Sequence, residues 1–320
     1  MGELYVPVSI ESIQADLFPD VALYLRSGEK FILYKSTGRS FTRQDAARLA
    51  KSRVDFVFVS PRDLELVTAF LEESAQRVLQ DPSLKPKVKG KIIYQTALNY
   101  VGDIFEHPDK VTDFSRSRRL MENLLKYLSS DKESFTALES VMAHNYHTFV
   151  HSLQVTALCL LLHSDAYLIS HDEMLDIGIG TLLHDFGKIF VAQEILHKVG
   201  KLTAAELEAY RSHPEAGYQY LKNHTEISDI ALGIVRSHHE RNHGAGFPQG
   251  LTGAQIPRSV QVAAICDVYC TLTIDRSCRK ALSSSIALQI MRQEMKGAFN
   301  DHLLDVLEGI VCTDKPGQFS

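Results

Sequence analysis

Two patterns of apolar positions divide the chain. Up to about residue 61 the apolar residues come in short β-branched and aromatic runs. VALYLRSGEKFILYK predicts two strands, 21–25 and 31–34, around a Ser-Gly turn, and VDFVFVS predicts another. Thr42, followed three residues later by Asp45, predicts a helix start in FTRQDAARLAKSR. From 63 to about 79 the spacing is helical, with Leu64, Val67, Leu71 and Val78 recurring along one face. DPSLKPKVKGK, residues 81–91, carries two prolines, a glycine and four lysines, and is the predicted linker. Beyond it the period is helical over 92–107, 115–130, 133–144, 147–169, 172–185, 204–211, 214–223, 227–239, 257–275 and 284–296, with no strand-like run. The predicted fold class is α+β. A small α/β accessory or regulatory domain, 1–85, precedes an all-α helical bundle, 86–320.

Composition narrows the function classes. With 45% hydrophobic residues over 320 positions the chain can bury a core. No run of 18 apolar residues appears, so no membrane span is expected. The start, MGELYVPVSIES, lacks the basic and apolar regions of a secretory signal, and Val6 stands where a myristoylation site needs Ser or Thr. A cytoplasmic location is the expectation. A net charge of -5 argues against gripping long nucleic acid, which needs a dense basic face, and leaves room for a small anionic ligand. Cys159, Cys266, Cys270, Cys278 and Cys312 form no CxxC pair and read as free thiols.

Histidine changes the picture: most of the 14 lie between Glu139 and Gly244. His184-Asp185 ends the apolar stretch IGIGTLLHD, so two adjacent side chains can aim at one point. His151 has the apolar neighbours Val150, Leu153, Val155 and Leu158. His213 precedes Pro214, with Ser212 and Glu215 spaced as a capping box at a helix start. His238-His239 closes a helix before the glycine-rich NHGAGFPQG, and Asp267 sits inside the apolar VQVAAICDVY. A charged aspartate there is costly unless paired or metal-bound. Each residue alone reads as an ordinary core or surface group. Jointly, five histidines and two aspartates at the ends or buried faces of successive helices can converge in a bundle. Two ions held there would suit two-metal hydrolysis of a phosphate ester.

From about residue 120 to 314 the chain resembles the HD-GYP branch of the HD phosphohydrolases. The likeness rests on HSLQV at 151–155, LLHDFGK at 182–188, HPEAG at 213–217, HHERNHGAGFPQGL at 238–251 and DVYCTLTIDRSCR at 267–279. It implies metal-dependent hydrolysis of cyclic di-GMP to pGpG, GMP or both. The alternatives are a catalytically weak receptor of the dinucleotide, or a hydrolase of another phosphate ester such as cyclic GMP-AMP. It implies two divalent transition-metal ions, Fe or Mn before Zn or Ni, held by His151, His184, Asp185, His213, His238, His239 and Asp267. Asp185 would bridge the ions, and Lys188 would bind the scissile phosphate. Arg276 and Arg279 match positions that hold substrate phosphates. His147, one helical turn before His151, is a further ligand candidate. The chain departs from the family at His243 and Cys270, where Asp is usual, and at Phe247 and Cys278, where Tyr is usual. With no carboxylate at 243, Arg241 is expected to be freer to meet phosphate. The expected partners are the cyclic dinucleotide and either a second copy of the chain or a signalling protein, met through the N-terminal domain or the GFP loop.

Overall fold

The computed structural model describes residues 5–10, 13, 15, 18–28, 30–54, 56–112, 114–142, 148–224, 226–274 and 280–312. By internal contacts the chain divides into two compact units, Met1–Tyr100 with Ser129–Val141, and Val101–Leu128 with Met142–Ser320.

In the first unit β1 (Val6–Ser9), β2 (Leu23–Ser27), β3 (Lys30–Lys35) and β4 (Phe56–Val59) form an antiparallel sheet in the order β1-β4-β2-β3. The two strands expected around the Ser-Gly turn are β2 and β3, with Gly28 at φ 62 in the turn, a conformation that costs glycine little. The sequence pattern did not reveal β1. It is four residues long with Pro7 inside it, and its edge position tolerates a residue that donates no ladder hydrogen bond. Helix α1 (Arg43–Lys51) starts with the expected device: Thr42 Oγ1 accepts from Asp45 N, and the Asp45 carboxylate accepts from Thr42 N at 3.0 Å. Val8, Leu23, Val57 and Val59 pack with Leu49 of α1 and with Val67 and Leu71 of α2 (Leu64–Gln80).

The predicted linker is half helix. Helix α3 (Pro86–Glu106) begins at its second proline, where the missing N–H breaks no helical bond. Lys89 extends to the Leu79 carbonyl at 3.0 Å, while Ile92 and Ile93 are buried. Helix α4 (Phe114–Ser130) and helix α5 (Ser134–Met142) follow.

The second unit is helical among its described residues. It contains α6 (Thr148–Ala166), α7 (His171–Leu182), α8 (Gln193–Leu196), α9 (Ala204–Arg211), α10 (His213–His224), α11 (Asp229–Ser237), α12 (Arg258–Thr273), α13 (Ser284–Gln293) and α14 (Asp301–Val311). Helix α7 packs on α6 and α11, α12 on α6, and α10 on α11. Neither the short α8 nor α14 was anticipated; Asn300 caps α14, its side chain accepting from His302 N at 3.0 Å. Helix α7 stops at Leu182, short of the expected 185, so the His-Asp pair falls in the turn that follows. No helix among the described residues is long and apolar enough to cross a membrane.

Candidate metal centre

The turn after α7 places His184 and Asp185, and a short 3₁₀ turn, Phe186–Phe190, carries Lys188. Residue 187 must be glycine: a Cβ there would stand 1.8 Å from the His213 carbonyl oxygen and 2.7 Å from Gly217 N. Gly217 returns the contact, its own Cβ position being 2.9 Å from Gly187 N. The backbones of the His-Asp turn and α10 therefore touch, which puts His213 beside Asp185. Helix α6 contributes His151, the end of α11 contributes His238 and His239, and α12 contributes Asp267.

These side chains converge. Candidate ligand atoms of Asp185, His213, His238 and His239 all lie within 4.8 Å of one another, and so do those of His151, His184 and Asp185. Asp185 belongs to both groups. Its Oδ1 is 3.4 Å from His213 Nε2 and 3.9 Å from His238 Nε2, and its Oδ2 is 3.4 Å from His184 Nε2. Asp267 Oδ1 lies 3.0 Å from His151 Nε2 and 3.9 Å from His184 Nε2, and its Oδ2 lies 3.8 Å from His239 Nδ1. His184, His213, His238 and Asp185 are buried.

Three of the imidazoles are oriented by main chain. His184 Nδ1 faces the Thr181 carbonyl at 2.7 Å, His213 Nδ1 the Tyr210 carbonyl at 2.8 Å, and His238 Nδ1 the Val235 carbonyl at 3.0 Å. A carbonyl only accepts, so each Nδ1 carries the proton and each Nε2 turns its lone pair inward. The buried Nε2 atoms of His184, His213, His238 and His239 find no hydrogen-bond partner. Each such orphan costs about 1–3 kcal/mol. The Nε2 atoms of His184, His213 and His238 facing Asp185, with His239 Nδ1 facing Asp267, form the nitrogen and oxygen donor set that divalent transition ions take, so the residues present fit such ions.

For Asp185, Asp267, His238 and His239 the electrostatics favour the protonation states of ligands. Burial tends to raise the Asp185 carboxyl, but Lys188, His184 and His213 hold it well below the usual range. Asp267 is likewise held low against burial by His151, His239 and His184. Burial and the neighbouring histidines hold His238 well below its ordinary value, and burial drives His239 down to about 3. His184 moves the other way: Asp185 and Asp267 outweigh its burial and raise it. Lys188 Nζ donates to Asp185 Oδ2 at 2.5 Å. Burial would lower that ammonium, but Asp185 raises it further, so Lys188 stays charged.

The loop after His239 is held by Glu240, which is buried and accepts from Gln249 N at 2.7 Å and Leu251 N at 2.9 Å. The loop lays Phe247 on His239, the rings stacked at 4.5 Å. Arg241 is engaged rather than loose. Its Nη1 donates to the carbonyls of Glu240 at 2.8 Å and His238 at 3.2 Å, and its Cζ lies 5.2 Å from the Phe299 ring centre. His243 is exposed, its Nδ1 accepting from Ala245 N at 3.2 Å, and Cys270 is buried on α12. His147, Arg276, Cys278 and Arg279 lie outside the described residues.

One further sequence reading needs revision. Ser212 and Glu215 make no capping box. Ser212 has helical backbone angles as α9 runs into α10, and its hydroxyl donates to the Ala209 carbonyl at 2.8 Å. Glu215 instead accepts from Arg236 Nε at 2.7 Å. Tyr210 and Glu240 were not anticipated. Tyr210 orients His213 through its carbonyl, and its ring centre lies 5.2 Å from that of His213 and 5.8 Å from Lys188 Nζ. The available signal for Glu240 was a glycine-rich loop whose N–H groups needed an acceptor.

The HD domain family model matches residues 124–302. The cyclic di-GMP phosphodiesterase PA4108 of Pseudomonas aeruginosa is 31% identical over 189 residues, 59% of this chain and 45% of that protein. The 3'3'-cGAMP-specific phosphodiesterase 1 of Vibrio cholerae is 33% identical over 168 residues, 52% of this chain and 38% of that protein. The chain thus spans less than half the length of these curated relatives. In fold it is similar to Bd1817, a HDG"Y"P protein from Bdellovibrio bacteriovorus, with a TM-score of 0.71 at 17% identity over 97% of this chain and 100% of that one. A family match over more than half the chain, with the His-Asp turn inside it, gives the conclusion that the chain belongs to the HD domain family.

Proposed function

We propose that this chain hydrolyses cyclic di-GMP to pGpG, GMP or both, using two divalent transition-metal ions, with Fe or Mn ahead of Zn or Ni. The observation that carries the reading is one ionised carboxylate, Asp185, common to two donor groups, with a charged lysine 2.5 Å from it. His151, His184, Asp185 and Asp267 would hold one ion, and Asp185, His213, His238 and His239 the other. When bound, such ions supply Lewis acidity toward phosphoryl oxygens and lower the pKa of water toward neutrality.

The chain's own residues do the rest. Asp185 remains ionised and can serve both sites through its two oxygens. The carbonyls of Thr181, Tyr210 and Val235 fix the imidazoles, so ligand geometry needs no reorganisation during turnover. Lys188, held cationic, takes a non-bridging oxygen of the scissile phosphate and offsets the charge that builds there, a contribution of several kcal/mol in order of magnitude. Arg241, Arg276 and Arg279 are the further phosphate contacts in this reading.

A second substrate, 3'3'-cGAMP, is supported by the Vibrio cholerae relative, whose name states that specificity. Both substrates are tested together. Protein loaded anaerobically with iron, or with Mn, is incubated with each dinucleotide and the products are separated by ion-exchange chromatography. Faster loss of cyclic di-GMP supports the first reading, and faster loss of 3'3'-cGAMP the second. No loss of either, with close to two ions per chain, overturns both.

A further inference from the structure

The last turn of α9 leads into His213 and brings one cation to the centre that no sequence motif indicated. Arg211 is exposed, and its Cζ lies 5.4 Å from the ring centre of Phe247, the ring that stacks on His239. Cation, aromatic ring and candidate ligand thus form a continuous stack leading outward from the donor atoms. Arg211 has no carboxylate partner among the described residues. Several other arginines of this unit have one: Arg236 pairs with Glu215, Arg258 with Glu173, Arg292 with Asp305 and Glu308, and Arg118 with Asp172, while Arg119 and Arg241 bond instead to Ser115 and to main-chain carbonyls. An arginine left without a carboxylate and braced on an aromatic face keeps its fork of N–H donors for an external anion.

We propose that Arg211 binds the second, non-scissile phosphate of a cyclic dinucleotide, with Phe247 as its ledge. The assignment rests on the proposed function, because it needs a ligand with two phosphodiesters in one small ring. One phosphate sits at Lys188 and the donor cluster. The ring closure keeps the other within a few bonds' reach, on the side where the His239–Phe247 stack ends in a guanidinium. Phe247 suits this ledge: it lacks a hydroxyl that would compete for the guanidinium N–H groups.

The test compares two substrates on metal-loaded full-length protein. Cyclic di-GMP has two phosphodiesters; bis(p-nitrophenyl) phosphate has one and no second anionic group. For Arg211→Ala, kcat/KM for cyclic di-GMP relative to bis(p-nitrophenyl) phosphate is expected to fall about tenfold, or about 1.4 kcal/mol, with most of the change in KM. Arg211→Lys should recover part of the loss, since it keeps the charge but not the fork. A ratio unchanged in Arg211→Ala overturns the assignment and leaves the proposed function standing. Equal losses on both substrates, or lower metal content, overturn it by making Arg211 a prop for the Phe247–His239 stack. A wild-type protein that cleaves only bis(p-nitrophenyl) phosphate overturns the functional reading and this assignment together.

Discussion

Replacing Glu240 by Gln isolates the contribution of the loop that carries Phe247. The native carboxylate accepts two main-chain N–H groups, at 2.7 and 2.9 Å, in a buried position. A glutamine offers one carbonyl oxygen, and its NH2 would face the other N–H donor. One charge-assisted bond is lost and the second becomes neutral. With bonds to charged groups at about 1.5–3 kcal/mol and neutral ones near 1 kcal/mol, the loop should lose at least about 2 kcal/mol. That raises its open population about thirtyfold. Hydrogen exchange read by mass spectrometry on peptides spanning 247–253 checks this, with the amides of Gln249 and Leu251 expected to exchange about thirtyfold faster. Metal content should hold, because Glu240 is in neither candidate ligand group. Turnover of cyclic di-GMP should fall, because the Phe247 ring no longer braces His239. Unchanged exchange at 249 and 251 would refute the claim that Glu240 holds the loop, and loss of metal would refute its confinement to the loop.

Asp185→Ala should remove both ions and the activity together, since both candidate groups use that carboxylate; elemental analysis retaining more than one ion per chain would contradict a shared ligand. Lys188→Ala should keep its metal and lose about 10²–10³ in kcat, the loss seen when one stabilising donor is removed, whereas wild-type turnover would exclude its contact with phosphate. Glu139→Gln should stabilise the protein in alkali: burial pushes the Glu139 carboxyl from 4.5 up to about 7, so the folded state binds the extra proton and loses stability as pH rises from 4.5 to 7. At about 1.4 kcal/mol per pKa unit the gain is at most about 3.5 kcal/mol, so melting curves should separate at pH 8 and coincide near pH 4, and the reverse order would contradict the burial of that carboxylate.

What the sequence reveals follows from what each residue answers to. Helical period shows the bundle because it is local, and Asp267 stands out because a charge on an apolar helix needs a partner. Helix ends are less legible. The pattern IGIGTLLHD continues past Leu182, yet the chain leaves the helix there because residues 184–187 must meet α10, a contact distant in sequence. Tyr210 acts through its carbonyl, which every residue possesses, so its identity carries no signal. Glu240 reads as a surface glutamate until the loop folds over it. Ser212 and Glu215 have the right spacing for a cap, but α9 runs directly into α10 and leaves no free helix start to cap. The linker reading weighed proline and lysine as breakers, whereas Pro86 is a favourable first residue of a helix.

The contact between Gly187 and Gly217 bears on how far the centre can adapt. Side-chain contacts can be retuned by a change of rotamer, but two backbones in touch can draw no closer. The separation between the His184–Asp185 turn and His213 therefore behaves as a hard stop. Any adjustment to ions of different radius falls to the more loosely bounded side, where His151, His239 and Asp267 approach from α6, the end of α11 and α12. A larger residue at either glycine would act as a shim, widening one donor group while leaving Asp185 in the other. Of the two groups, the one containing His213 would be disturbed first.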